Sequence, residues 1–249
     1  MRTLNAAELL EVWERGLHQP LIRRILGLLG AACQESSGDA LAALSLGQRD
    51  ARLLQLREWL FGPELALVVS CPACGGQLES TFNIVHIRCE PRCEVDQVAA
   101  RTQTVDIDGY SLTFRVPASS DLLAIASIAE ETSARQVLFA RCLLEARAAD
   151  GNMIDAHHLP EHVVAAVAAQ MSLADPQAEI ELALTCPACR HGWRAMFDIA
   201  DFLWQEIHTW AQRTLRDVHR LARSYGWSEA EVLALSPTRR QIYLELSPQ

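Results

Sequence analysis

Residues 68–84 read VVSCPACGGQLESTFNI, and residues 183–199 read ALTCPACRHGWRAMFDI. Each stretch carries Cys-Pro-Ala-Cys behind a small hydroxyl residue, Ser70 or Thr185. In each, a phenylalanine (Phe82, Phe197) stands eleven positions after the first cysteine, followed by a polar residue and an isoleucine. The two stretches read as one unit used twice. Upstream of the first, ELALVVS has strand character, and QLESTFNI alternates apolar and polar residues as a returning strand does. The same holds for DPQAEIELALT before the second knuckle and WRAMFDI after it. The pattern is strand, knuckle, strand, written twice.

Two Cys-x-x-Cys knuckles supply the four thiolates that zinc takes in a structural, tetrahedral site. Proline at the second position and alanine at the third keep the turn tight. Gly75 follows the first pair directly, and His191-Gly192 lies in the turn after the second. Cys71, Cys74, Cys186 and Cys189 are therefore the expected ligands of one structural zinc per chain. Four thiolates leave no open position for water, so the metal would clamp and not catalyse. The separation of the knuckles is far longer than in ordinary zinc ribbons, so the site would close around a large insertion. Two rival readings attach to the same residues. A dithiol redox pair needs its first thiolate at a helix N-terminus, whereas strand-like residues follow both knuckles here. Buried, inert thiols are the plainer alternative.

The remaining candidates are weaker. Cys89 and Cys93 have looser spacing and no partner pair. Cys33 and Cys142 sit in apolar helical stretches and read as core. His86 and His191 lie near the knuckles and could replace a ligand, and His157-His158 read as solvated. No phosphate loop, Ser-His-Asp order or His-Glu-x-x-His pattern is present, so the chain is expected not to be an enzyme.

Around the knuckles the chain reads as α+β and mostly helical. A zinc-ribbon-like β unit and a β-hairpin would be surrounded by helices. Residues 1–62 read as an N-terminal helical region, 63–200 as a split zinc ribbon with an inserted hairpin and helical lobe, and 201–249 as a C-terminal helical region. Within VDIDGYSLTFRVP, Asp108-Gly109 makes a hairpin turn between alternating strands. A helix is expected from Asp121 to Ala149, broken near Thr132. In the tail, Leu203, Ile207, Trp210, Val218, Leu221 and Tyr225 fall near one helix face. Ser228 with Glu231 forms a capping box, and Pro237 opens a last helix at its first position.

The 249 residues suffice for one or two domains, and half are apolar. The formal net charge is −9, and all 22 basic residues are arginine. Such an acidic chain is a poor non-specific binder of nucleic acid. No apolar run reaches bilayer length, and the amphipathic N-terminus is unlike a signal peptide, so a cytoplasmic protein is expected. Arg213, Arg216, Arg220 and Arg223 fall at spacings of three and four and stripe one face of a helix. With Trp227 close by, they read either as a solvated face or as a docking surface for an acidic partner.

ALVVSCPACGGQLE, the hairpin with FRVPASSDLL, the second CPAC with FDIADFLWQEI, and the ending YGWSEAEVLALSPTRRQIYLEL together resemble the baseplate hub assembly chaperone family of T-even phages. The form is the one found in gene clusters for contractile injection systems. The ending also resembles tail-assembly proteins of contractile phages. The resemblance implies a non-enzymatic assembly factor that works with baseplate hub, spike or tube proteins, with no catalytic residues to carry over. A permanent structural baseplate component needs the same contacts and stays open as an alternative, as do a zinc-ribbon nucleic-acid binder and a dithiol oxidoreductase.

Overall fold

The structure, a computed structural model, describes residues 1–88 and 102–247. The fold is α+β, with small two- and three-stranded sheets among helices. Four helices lead the chain: α1 (Ala6–Gly16), α2 (Leu21–Ala32), α3 (Gly38–Ala42) and α4 (Leu46–Phe61). Asn5 and Ser45 close capping boxes with Glu8 and Gln48, satisfying backbone N–H groups that a helix start leaves unpaired. Gly62, at φ +90°, ends α4 immediately before Pro63.

The first knuckle follows as a hairpin of β1 (Glu64–Ser70) and β2 (Gln77–Asn83), with the short helix α5 (Ile84–Ile87) after it. A second hairpin joins β3 (Gln103–Ile107) to β4 (Tyr110–Phe114). Asp108 and Gly109 both have positive φ, as a tight turn of the right twist requires.

The helix expected from residue 121 to 149 is interrupted just before Thr132, as its break predicted, but it does not run on to residue 149. The chain makes α6 (Ser119–Ile125) and α7 (Glu131–Cys142), then turns to a strand, β5 (Leu143–Arg147), on the free edge of β4. The reason is non-local. Ala146, buried, lies opposite fully buried Leu112, and Leu143 lies opposite fully buried Phe114. The ladder thus completes a core that a continued helix would leave uncovered. Asp121 ties the lobe together. Its fully buried carboxylate accepts from Arg115 Nη1 (2.6 Å) and Nη2 (2.8 Å), Arg141 Nε (2.9 Å) and the Ala118 N–H (2.9 Å). Helix α8 (Glu161–Ala174) covers this sheet, with Val163, Val167 and Met171 in the same core as Leu112, Phe114 and Cys142.

The second knuckle hairpin is β6 (Ile180–Thr185) and β7 (Gly192–Phe197). It runs into α9 (Ile199–Tyr225), followed by α10 (Glu229–Leu233) and α11 (Pro237–Leu246). The Ser228–Glu231 capping box and Pro237 at a helix start are both present. The chain divides into two compact units. One comprises Met1–Glu35 and Ala200–Gln249, the other Ser36–Ile199, so the helices before residue 62 are shared between them. In the first unit, Trp204 is buried against Gly16, and Arg24 lies 5.2 Å from its ring centroid. The buried face of α9 is Leu203, Trp204, Ile207, Ala211, Thr214, Val218 and Leu221. Trp210, expected on that face, is half-buried, and Tyr225 is 37 % exposed. Among the described residues, no helix is long and apolar enough to cross a membrane.

Candidate metal centre

The two knuckle hairpins are copies in three dimensions as well as in sequence. Among the described residues, each pairs only with itself. In the first, Leu65 faces Phe82 and Ser70 faces Gln77; in the second, Ile180 faces Phe197 and Thr185 faces Gly192. Counted from the first cysteine, these are the same positions. The turns match too. The Cys71 N–H donates to the Gly76 carbonyl and the Gly75 N–H to the Cys71 carbonyl; Cys186 repeats both bonds with His191 and Arg190, all four at 2.9 Å. The isoleucine after each phenylalanine, Ile84 or Ile199, is fully buried and opens a helix.

The left-handed position of the knuckle falls to Gly75 in the first copy and to Arg190 in the second, at φ +71° and +62°. The glycine expected to serve the second turn, Gly192, instead begins β7 opposite Thr185. Aligning the two copies on their cysteines pairs Arg190 with Gly75, so the sequence did carry this signal.

This duplicated scaffold brings Cys71, Cys74, Cys186 and Cys189 together. Their Sγ atoms all lie within 4.8 Å of one another. Between the hairpins, Cys71 lies 3.7 Å from Cys189 and Cys74 lies 3.7 Å from Cys186. Those distances exclude disulfides, whose sulfurs lie about 2.05 Å apart, and all four cysteines are free. They match a tetrahedral zinc–thiolate shell, in which bonds of about 2.3 Å place sulfurs about 3.8 Å apart. In each pair the first cysteine is buried and the second exposed. Leu78, Val69 and Trp193 pack around Cys71 and Cys186.

The electrostatics of the cluster favour a cation. Backbone N–H groups of Cys189 and Ala188, assisted by the neighbouring thiols Cys189 and Cys74, draw the Cys186 thiol down to about 7. At Cys189 the His191 N–H pulls downward, but desolvation and the hydrogen bonds with Cys74, Cys186 and Cys71 push it up to about 12. Within the second knuckle, Cys186 therefore gives up its proton readily while Cys189 holds its own. A divalent metal ion supplies the charge that lets all four thiols ionise, and these four residues could hold one.

The other candidates fall elsewhere. Neither His86 nor His191 belongs to the cluster; the His191 ring stacks 6.2 Å from that of Trp193. Cys33 and Cys142 are buried, and burial pushes the Cys142 thiol up to about 11. His157 and His158 are exposed. Cys89 and Cys93 lie outside the described residues. Arg213, Arg216, Arg220 and Arg223 are all exposed on α9. Trp227 is half-buried, stacked 4.7 Å from Tyr225 and edge-on to Tyr243 at 4.9 Å. Tyr225 and Tyr243 thus complete an aromatic group that sequence spacing alone did not assemble.

Residues 19–204 match the family model described as T4 bacteriophage base plate protein. No curated protein and no solved structure matches the chain. The matched span takes in both knuckles and the lobe between them, while the ending from Tyr225 onward lies beyond it. With most of its length covered, the chain belongs to the T4 bacteriophage base plate protein family.

Proposed function

We propose that this baseplate-related chain is a non-enzymatic assembly factor that binds hub, spike or tube proteins of a contractile, phage-tail-like particle. A structural zinc on Cys71, Cys74, Cys186 and Cys189 holds it in shape. The four-thiol cluster, set on two copies of one hairpin, carries the reading. Its donors fill a tetrahedral shell, so a metal there has no free position for substrate. Its work is to fasten two distant parts of the chain. Family membership supports the baseplate setting. An assembly factor must grip an incomplete interface and later let go, which favours contacts of moderate area.

The family description, base plate protein, favours a second reading, in which the chain stays in the finished particle as a building block. Mass spectrometry on a pull-down from native cells and on purified particles separates the two. Hub, spike or tube proteins in the pull-down, with this chain missing from particles, is the result expected of an assembly factor. Fixed stoichiometry in particles would make it a structural component. Absence from both samples would overturn the baseplate role. Metal analysis of protein purified without chelator should find about one zinc per chain; none would end the zinc assignment.

A further inference from the structure

The exposed face of α9 carries a row of arginines of which the fold uses only Arg220 and the metal centre none. Arg213, Arg216, Arg220 and Arg223 lie in one row opposite the buried residues Ala211, Thr214, Val218 and Leu221. Each neighbours the next at three or four positions, so like charges face each other along the row, an arrangement that weakens a helix. Arg213, Arg216 and Arg223 make no ion pair among the described residues. On the same helix, burial raises the Asp217 carboxyl against the pull of Arg240 and Arg220. The helix dipole rewards cations only within the last turn, which accounts for Arg223 and not for Arg213 or Arg216.

A second observation adjoins the row. Arg220 donates to the Leu244 carbonyl (3.3 Å) and to Ser247 Oγ (3.4 Å), which brings the end of α11 beside it. There Ile242 and Leu246, one helical turn apart, are 50 % and 69 % exposed. Arginines next to exposed aliphatic side chains compose a protein-binding surface, since a nucleic acid's phosphates would gain nothing from Ile242 and Leu246.

We propose that this surface docks a folded partner protein bearing a row of Asp and Glu side chains beside an apolar patch. The proposal deepens the assembly-factor reading, on which the identity of the partner rests. Guanidinium groups pair with carboxylates bidentately, and a row of four sets the register of the partner.

The test uses the full chain and the double reversal Arg213→Glu/Arg216→Glu, both exposed, with Arg135→Glu as an exposed control elsewhere. Binding is measured to purified hub, spike and tube proteins of the native particle, to poly-glutamate and to short duplex DNA, at low and high salt. The double reversal should melt as the parent does, yet bind its particle protein about tenfold more weakly at low salt, with Arg135→Glu unchanged. Ile242→Ser should weaken the particle protein and leave poly-glutamate unaffected. Equal affinity of parent and double reversal for both a particle protein and poly-glutamate overturns the docking surface while leaving the baseplate role intact. Binding of poly-glutamate that the double reversal abolishes, with no particle protein bound, keeps the surface and sinks the baseplate partner. Binding of duplex DNA that the double reversal abolishes overturns the protein-partner assignment.

Discussion

Breaking the four-thiol clamp should cost the unit Ser36–Ile199 a large share of its stability. Cys74 and Cys186 touch across 112 positions of chain. A cross-link closing a loop of that length removes about 5 kcal/mol of conformational freedom from the unfolded chain, by the relation used for disulfides. Among the described residues each hairpin is a lone two-stranded sheet, marginal by itself, and the apolar cluster at the cysteines is small, with Leu78, Val69 and Trp193 around them. Native stabilities are about 5–15 kcal/mol, so a loss approaching 5 kcal/mol is severe. At about 2–4 °C per kcal/mol for a unit of this size, the melting temperature should fall by about 10–20 °C. The assay is calorimetry on the zinc-loaded chain, the chelated chain and Cys74→Ser, with metal content measured alongside. Chelation should have no further effect on Cys74→Ser. A chelated chain that melts within about 2 °C of the loaded one, a shift worth no more than about 1 kcal/mol, refutes the clamp.

Three further outcomes follow from particular residues. Gly75→Ala, at φ +71° with open space around the added methyl, should destabilise by about 1 kcal/mol, whereas Arg190→Gly at the matching position should leave stability equal or raised; chemical denaturation checks both, and equal losses would contradict the shared left-handed geometry. Gly16→Ala would place its Cβ 2.3 Å from Trp204 and should cost about 2 kcal/mol by forcing the ring aside, read as lower thermal stability with a changed tryptophan emission. Burial pushes the Asp50 carboxyl up to about 6, against the pull of the Arg49 guanidinium at 2.7 Å. Because its folded value lies above its unfolded one, the proton favours the folded state. This group's contribution therefore rises as pH falls from about 6 toward 4 and is lost as pH rises through 6. Asp50→Asn should gain stability relative to the parent at pH 7, with the gap closing below pH 4; a gap independent of pH would refute it.

How much of this was legible beforehand divides along the range of the interactions. The Asp108-Gly109 turn, the Ser228–Glu231 box and the start of α11 at Pro237 all rest on contacts within a few residues. Spacing and turn chemistry state such contacts directly. The matched cysteine spacing also announced that the knuckles belong together, and they do, with 3.7 Å between partners from different hairpins. The strand at Leu143–Arg147 was not legible. LLEAR suits a helix locally, and only Leu112 and Phe114, some thirty positions earlier, make it a strand. Nor could spacing choose which side of α9 faces inward near Trp210, because periodicity fixes that residues share a face and not what covers it.

The sequence by itself determined the repeated strand–knuckle–strand unit, its four thiols and the helix starts at Ser228 and Pro237, since each follows from steric and hydrogen-bonding rules that act over one turn or one hairpin. Only the tertiary structure decided that each hairpin pairs with itself, that the thiols meet between hairpins, and that β5 replaces a helix. Those outcomes depend on which distant surfaces meet, and burial of apolar area is indifferent to distance along the chain.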